Sequence, residues 1–333
     1  MRNSKKYIWI GLFLALTICI NLLLNYVLLP YSYVRCDTHH LTEGGYQDIY
    51  VGTSHGFAGI DPLQTDAITG RKSTNLCLGG EYLCDSYFLT KEAHRHNPLK
   101  RVIYVLDPGY WVTEPSQDSS YNTLCQSLPW SKVKLEYTAA KMLKADFRTT
   151  LFPWYNYRKD LLKPDVIQHN LTTKQSQEYK DYSIKPFDST GQTYTEQGFM
   201  NIHRVENAQK TEQNLKLWNE ADLIPKEFKY FNKLKSYCAQ NQIDFVVVTL
   251  PVPKETLGKY QEQFDAAHNY FTQMMQAQNV TYCDFNYVDL SSQGFEATVS
   301  NYNDYDGHMY GNTAQKFSQI LGEYLNAQDL AMS

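Results

Sequence analysis

Ile49-Tyr50-Val51-Gly52-Thr53-Ser54-His55-Gly56 is the stretch on which the fold of this chain turns. An apolar, β-prone run stops at a sharp turn that carries a serine between two glycines. That is the form of a strand passing through a nucleophile elbow into a helix. The same residues also suit an ordinary βα turn in which Ser54 caps the next helix. At the far end of the chain, Asp304-Tyr305-Asp306-Gly307-His308 stands before a helical pattern with Ala314, Phe317, Leu321 and Tyr324 on one face. A hydroxyl on a tight turn, with an acid and an imidazole arriving together from far away, is the set that nucleophilic acyl chemistry requires.

Outward from Ser54, short strands alternate with helices. Strands are expected at 46–51, 74–78, 101–106, 243–250 and 280–285. The third is almost continuously apolar, as a strand covered on both faces should be. Helices are expected at 81–95, 225–240, 257–274 and 313–326. Residues 110–223 break the alternation and read as an insertion or cap, with helical pieces at 131–144, 151–162 and 205–220. Five strands separated by helices predict a mostly parallel sheet with helices on both faces. Ligands of such sheets bind outside the carboxyl ends of the strands. Ser54, Gly79-Gly80, Asp107 and the segment from Asp304 to His308 all fall at that edge.

The first residues carry Arg2, Lys5 and Lys6, and an uncharged apolar run follows from Tyr7 to Leu29, broken only by Thr17, Asn21 and Asn25. At ~1.5 Å per residue it covers ~34 Å as a helix, enough for a hydrocarbon core of ~30 Å. The run is longer than the apolar part of a signal peptide and has no A-x-A-like cleavage site. An uncleaved anchor is therefore expected, with the N-terminus in the cytoplasm and everything after Pro30 outside. The expected organisation is residues 1–30 as tail and anchor, 31–45 as linker, and 46–330 as one extracytoplasmic domain carrying the insertion.

The net charge of -4, with no Lys/Arg block after the apolar run, leaves no footprint for nucleic acid. The hydrophobic fraction of 43% and 27 tyrosines suffice for a buried core. Seven cysteines are present, Cys19 in the apolar run, and their pairing is left open. No C-x-x-C spacing occurs, and neither His39/His40 nor His94/His96 completes a ligand set, so no metal and no cofactor is implied. Trp111, Trp130, Trp154, Tyr155 and Tyr157 suit either a cap core or a stacking platform for a sugar.

A serine after the first strand with an adjacent acid–histidine pair near the C-terminus resembles the SGNH (GDSL-like) hydrolase superfamily. More narrowly, the chain resembles its membrane-anchored branch, which includes the D-alanyl transfer protein of lipoteichoic acid synthesis and the alginate O-acetylation proteins. The apolar anchor carries that likeness, with Val51-Gly52-Thr53-Ser54 and Asp61-Pro62, Val246-Val247-Val248 running into Pro251-Val252-Pro253, and Asp306-Gly307-His308-Met309 with Gly311 and Phe317. It covers roughly 46–106 and 243–325 and finds no match in the insertion. The resemblance implies an α/β fold, a flavodoxin-like three-layer α/β/α sandwich.

By the same resemblance Ser54 is the nucleophile and His308 the general base. The family places its acid three residues before the histidine, which here is Tyr305. Asp306 is favoured as the acid, on the assumption of a one-residue deletion, and Asp304 is the second choice. Either aspartate also suits a loop Asx-turn. The oxyanion donors implied are the backbone N–H of Ser54 and that of Gly79 or Gly80. The family's asparagine after strand three is replaced by Leu106-Asp107-Pro108, where an ionised aspartate repels an oxyanion, so either this branch manages with fewer donors or a side chain such as Asn75 or Tyr110 substitutes. His55 reads as rim lining.

The expected function is a serine-dependent O-acyltransferase or esterase acting on a cell-surface or exported glycopolymer through an acyl-Ser54 intermediate. Its partners would be that polymer and a membrane-embedded protein delivering acyl groups. The alternative is a non-catalytic accessory protein that keeps the fold to bind polymer or to scaffold an export complex.

Overall fold

The computed structural model of the chain describes residues 2–114, 121–142, 147–205, 209–212 and 215–332. The chain begins with α1 (Arg2–Leu28), α2 (Tyr33–Glu43), β1 (Asp48–Gly52), α3 (Ser54–Gly59) and α4 (Pro62–Thr69). It continues through β2 (Ser73–Asn75), α5 (Leu83–His96) and β3 (Arg101–Val105). A run of helices follows: α6 (Tyr121–Ser127), α7 (Lys132–Met142), α8 (Phe147–Leu151), a 3-10 segment Pro153–Leu162, α9 (Pro164–Gln175) and α10 (Gln177–Lys180). Next come β4 (Gln192–Tyr194), β5 (Met200–Ile202), α11 (Pro225–Gln240) and β6 (Asp244–Thr249). The chain closes with α12 (Lys254–Lys259), α13 (Gln261–Ala277), β7 (Thr281–Asp284) and α14 (Gly311–Met332).

Five strands form a parallel sheet in the order β2-β1-β3-β6-β7, with helices flanking it, and β4 and β5 pair separately as an antiparallel hairpin. Every strand expected from the alternation is present, and α11 spans the expected 225–240. β1 and β3 are buried along their whole length, as central parallel strands must be. Their register sets Gly52 beside Val105. Gly52 has φ +145°, and a Cβ there would stand 2.5 Å from the Val105 carbonyl oxygen. A Cβ on Gly56 would meet the Cys77 sulfur at 2.5 Å. Both glycines of the elbow are thus demanded by close packing at the strand ends, and the chain turns there to present Ser54.

The two ends of the domain meet through α14. Asp61 caps α4 by accepting from the Leu63 N–H at 3.1 Å, while its own backbone N–H donates to Ser318 Oγ at 2.8 Å. Gln315 and Gln319 of α14 bond Asp61 at 3.2 Å and Gln64 at 3.0 Å. α4, the second helix after the serine, is thereby tied to the helix that follows the histidine.

The chain divides into two compact units, Met1–Arg35 with Tyr121–Ser183, and Cys36–Ser120 with Ile184–Ser333. The first holds α1, long and apolar enough over Lys5–Leu28 to cross a membrane, together with a helical lobe. The second holds the sheet. The residues expected as a single insertion, 110–223, divide between the two units, 121–183 in the first and the stretch from Ile184 on in the second.

Three local expectations also change. The linker expected at 31–45 contains α2, whose Asp37, Thr38 and His40 are buried. Of the helix expected at 205–220, residues 206–208 and 213–214 lie outside the described residues, as do 143–144 of the piece at 131–144. The described remainder of 205–219 is irregular. The helix expected at 257–274 is two helices, α12 and α13. Trp111 packs in the sheet's unit against Phe231 and Phe271, and Trp130 is exposed in the other. Trp111 is therefore part of the core and offers no stacking face. All seven cysteines are free.

Candidate active site

Ser54 opens α3 directly after β1, and His308 lies in the loop leading to α14. His308 Nε2 stands 2.8 Å from Ser54 Oγ, and His308 Nδ1 stands 2.7 Å from Asp304 Oδ2. A carboxylate only accepts, so Nδ1 carries the hydrogen and donates to Asp304. The Nε2 lone pair then faces the hydroxyl, and Ser54 O–H donates to it. The loop is held on several sides: the Asn303 N–H donates to the His308 carbonyl at 2.8 Å, and Thr256 Oγ1 donates to the Tyr305 carbonyl at 2.7 Å.

The acid on His308 is Asp304 and not Asp306, which corrects the favoured assignment. Asp304 Oδ1 accepts from the backbone N–H groups of Gly307 at 3.0 Å and His308 at 3.1 Å. Gly307 at φ +120° closes that turn, which folds the imidazole back over the second carboxylate oxygen. Asp306 is buried and lines the cavity beside the site.

Charge and burial oppose each other here. Burial works to lower the His308 pKa, but the hydrogen bond and charge of Asp304, with the charges of Asp306 and Asp107, outweigh it and hold the imidazole above the ordinary 6.5. Burial works to raise Asp304, yet the His308 hydrogen bond and charge and two backbone donors leave it below 3.8. His55 moves the other way. Burial lowers its pKa, and the nearby Asp107 offsets this only in part. Two neighbouring imidazoles, ring centroids 5.0 Å apart, are thus pushed in opposite directions.

The candidate oxyanion donors divide in two. Asn75 is not available: its amide nitrogen donates to the carbonyls of Gly56 at 2.8 Å and Ile60 at 2.9 Å, and its oxygen accepts from the Cys77 N–H at 3.1 Å. It is a brace for the turn, which corrects its expected role. Gly79 and Gly80 form a turn just beyond β2, with Gly80 at φ +73°. The Leu78 N–H before that turn donates to the Gly52 carbonyl at 2.9 Å and to Glu81 Oε2 at 3.0 Å. Glu81 is buried and also accepts from Ser86 Oγ. The Ser54 N–H belongs to the first turn of α3, where backbone donors lack intrahelical partners.

Sequence reading missed the partner of His55. Its Nδ1 lies 3.4 Å from Asp107 Oδ2, and Asp107 Oδ1 accepts from the Gly109 N–H at 3.1 Å. The signal was the in-register pairing of β1 with β3, which brings residues just past Gly52 and Val105 side by side. A cavity of about 40 Å³ opens there. His55, Asp107 and Asp306 line its polar side, and Leu250, Val252, Phe264 and Trp218 its apolar side. Asn286 pins one wall, accepting from the Val252 N–H at 2.9 Å and donating to the Leu250 carbonyl at 3.2 Å.

Donor atoms of Asp304, Asp306 and His308 lie within 4.8 Å of one another, a spacing that also suits a cation. Both ring nitrogens of His308 already face hydrogen-bonding partners, so a cation would compete for the atoms that join Asp304 to Ser54.

No protein-family model matches the chain, and no curated protein matches it in sequence. Among solved structures it is similar to one from Streptococcus pneumonia described as a "putative platelet activating factor", at 11% identity and a TM-score of 0.37, covering 93% of this chain and 99% of that one.

Proposed function

We propose that the protein is a serine-dependent acyltransferase or esterase of the SGNH type on a flavodoxin-like sandwich. The observation that carries this reading is the hydrogen-bonded row from Ser54 Oγ through His308 to Asp304, with contacts of 2.8 and 2.7 Å. The strand order β2-β1-β3-β6-β7 of the parallel sheet, which is 2-1-3-4-5 when only the strands of that sheet are counted, with the row at its carboxyl edge, supports the fold assignment.

The chemistry follows from the geometry. Ser54 Oγ attacks an ester carbonyl as His308 Nε2 takes its proton, and the carbonyl electrons collect on the oxygen. Backbone N–H groups of Ser54 and of the Gly79-Gly80 turn are the donors proposed for that oxygen. The protonated His308, its charge balanced by Asp304, gives the proton to the leaving oxygen as the C–O bond breaks. A second hydroxyl, from a sugar or water, then loses its proton to His308, takes the acyl group, and Ser54 regains its hydrogen. The cavity beside His55 would take the acyl group. At ~10–15 Å³ per water-sized position it offers about three positions, which suits a short acyl chain. An apolar anchor favours a surface glycopolymer as acceptor or substrate, with a membrane-embedded protein as acyl donor, and an extracytoplasmic site with the N-terminus inside.

The test is a fluorophosphonate probe on the purified full chain, together with surface-polymer acylation in cells. Ser54 should be labelled, and Ser54→Ala should lose both labelling and acylation by at least ~10³-fold while unfolding at the same temperature. Full acylation by Ser54→Ala would overturn the mechanism. The Asp107 carboxylate in place of a donor asparagine favours a second reading, a non-catalytic polymer-binding or scaffolding role. Native chain that takes no label beside a labelled control hydrolase would favour that role.

A further inference from the structure

We infer that the helical lobe of the first unit is itself seated in the membrane that α1 crosses, with its 147–162 edge at the boundary between lipid headgroups and acyl chains. This is independent of the chemistry at Ser54. Over its last two turns α1 is covered on one face only. Asn21, Leu24, Asn25 and Leu28 are buried or half-buried there, while Leu22, Leu23 and Tyr26 remain exposed. The lobe provides the cover. Asn21 Nδ2 donates to the Leu151 carbonyl at 3.4 Å, and Asn25 Oδ1 accepts from the Trp154 N–H at 2.9 Å. Asn170 Nδ2 reaches the carbonyls of Val27 at 3.2 Å and Leu28 at 3.1 Å, and the Lys174 ammonium bonds those of Tyr26 and Leu29.

Those contacts set a depth. Asn21 stands about 10 Å below Leu28 along the helix axis at ~1.5 Å per residue, within a hydrocarbon core ~30 Å thick. The backbone at Leu151 is level with it. Elements that lie in the interface bury their apolar face by a similar ~5–10 Å.

The lobe's surface has the matching composition. Leu162 is 92% exposed, Phe147 59% and Leu151 55%, with Leu161 also exposed. Around them stand Trp154, Tyr155 and Tyr157, the residue types of an interfacial belt, and Arg148, Arg158, Lys159 and Lys163, whose long stems let the charge reach headgroups. Arg148 and Arg158 lie over the Tyr155 ring at 4.6 and 4.3 Å. A water-facing surface rarely gathers so many large apolar side chains, and the segments that carry them are bonded to α1 at Asn21 and Asn25.

The test uses nitroxide labels on the full chain in phosphatidylethanolamine–phosphatidylglycerol vesicles. Cys19, Cys125 and Cys283, the cysteines that are not fully buried, are first replaced by alanine. Labels at Phe147→Cys and Leu151→Cys should show an oxygen-to-nickel-chelate accessibility ratio several-fold above that at Leu63→Cys, an exposed position on α4. Nickel access at 147 and 151 equal to that at 63 overturns the inference. Labels open to nickel in vesicles but closed to both quenchers in native membranes would also overturn it, in favour of a protein partner. The unsubstituted chain supplies a second measurement: photoactivatable lipid should cross-link to peptides spanning 147–163, and none from that stretch counts against lipid contact.

Discussion

At the residue scale, the balance around His308 determines how the protein should respond to pH. In the proposed mechanism the general base works only when neutral, and the pKa of His308 is held above 6.5. Turnover should therefore rise with pH through a midpoint above 6.5 and then level off. Asp304→Asn removes the hydrogen-bond acceptor and the charge that do most to raise it. In that variant the midpoint should fall and the plateau drop by on the order of 10³–10⁴-fold. Asp306→Asn should lower the midpoint less and keep most of the plateau, since Asp306 acts through its charge. A pH–rate profile of the three proteins checks both outcomes. Stability follows the same signs. The raised His308 contributes stability that is fully present below 6.5 and lost as pH climbs through its folded value. The lowered Asp304 contributes stability present above 3.8 and lost as pH falls through its folded value.

At the element scale, the glycines around Ser54 illustrate why a short motif is an incomplete signal. Gly52 is required by the close approach of β1 to β3 at φ +145°. Gly52→Ala should destabilise the fold by about 2–4 kcal/mol. Gly79→Ala, where a Cβ meets open space, should cost less than about 1 kcal/mol. Denaturant unfolding of the two variants provides the comparison. The strands and α11 were legible because their apolar periodicity is regular and because Gly, Pro and Asp mark their ends. α2 was not, because Asp37, Thr38 and His40 are buried in it and break any amphipathic stripe. The β4–β5 hairpin has three-residue strands that are half-buried, too short to show alternation. Ser54 and His308 could be named from sequence, whereas the choice between Asp304 and Asp306 depends on a turn at Gly307 that residue spacing does not encode.

At the scale of the molecule, the amino-terminal edge of the sheet is clamped by charge. Arg101 is fully buried. Its guanidinium donates to the Leu325 carbonyl at 3.2 Å, pairs with Asp329 of α14, and lies 3.8 Å from Asp48 of β1. Arg71 joins the same group, 3.3 Å from Asp48 and 3.0 Å from Asp329. Asp329 is partly exposed and Arg101 keeps Asp48 nearby, so its removal should cost less than the ~3–5 kcal/mol of a buried charge left with no counterpart. Asp329→Ala should therefore lower the urea midpoint of unfolding measurably. The fraction that remains folded should still take the fluorophosphonate probe, since the cluster lies at the edge of the sheet opposite Ser54.

Ser54 and His308 are 254 positions apart. While the nascent polypeptide has delivered the first and not yet the second, the hydroxyl has no imidazole to take its proton. On the proposed mechanism, a product released before His308 would carry an inert serine.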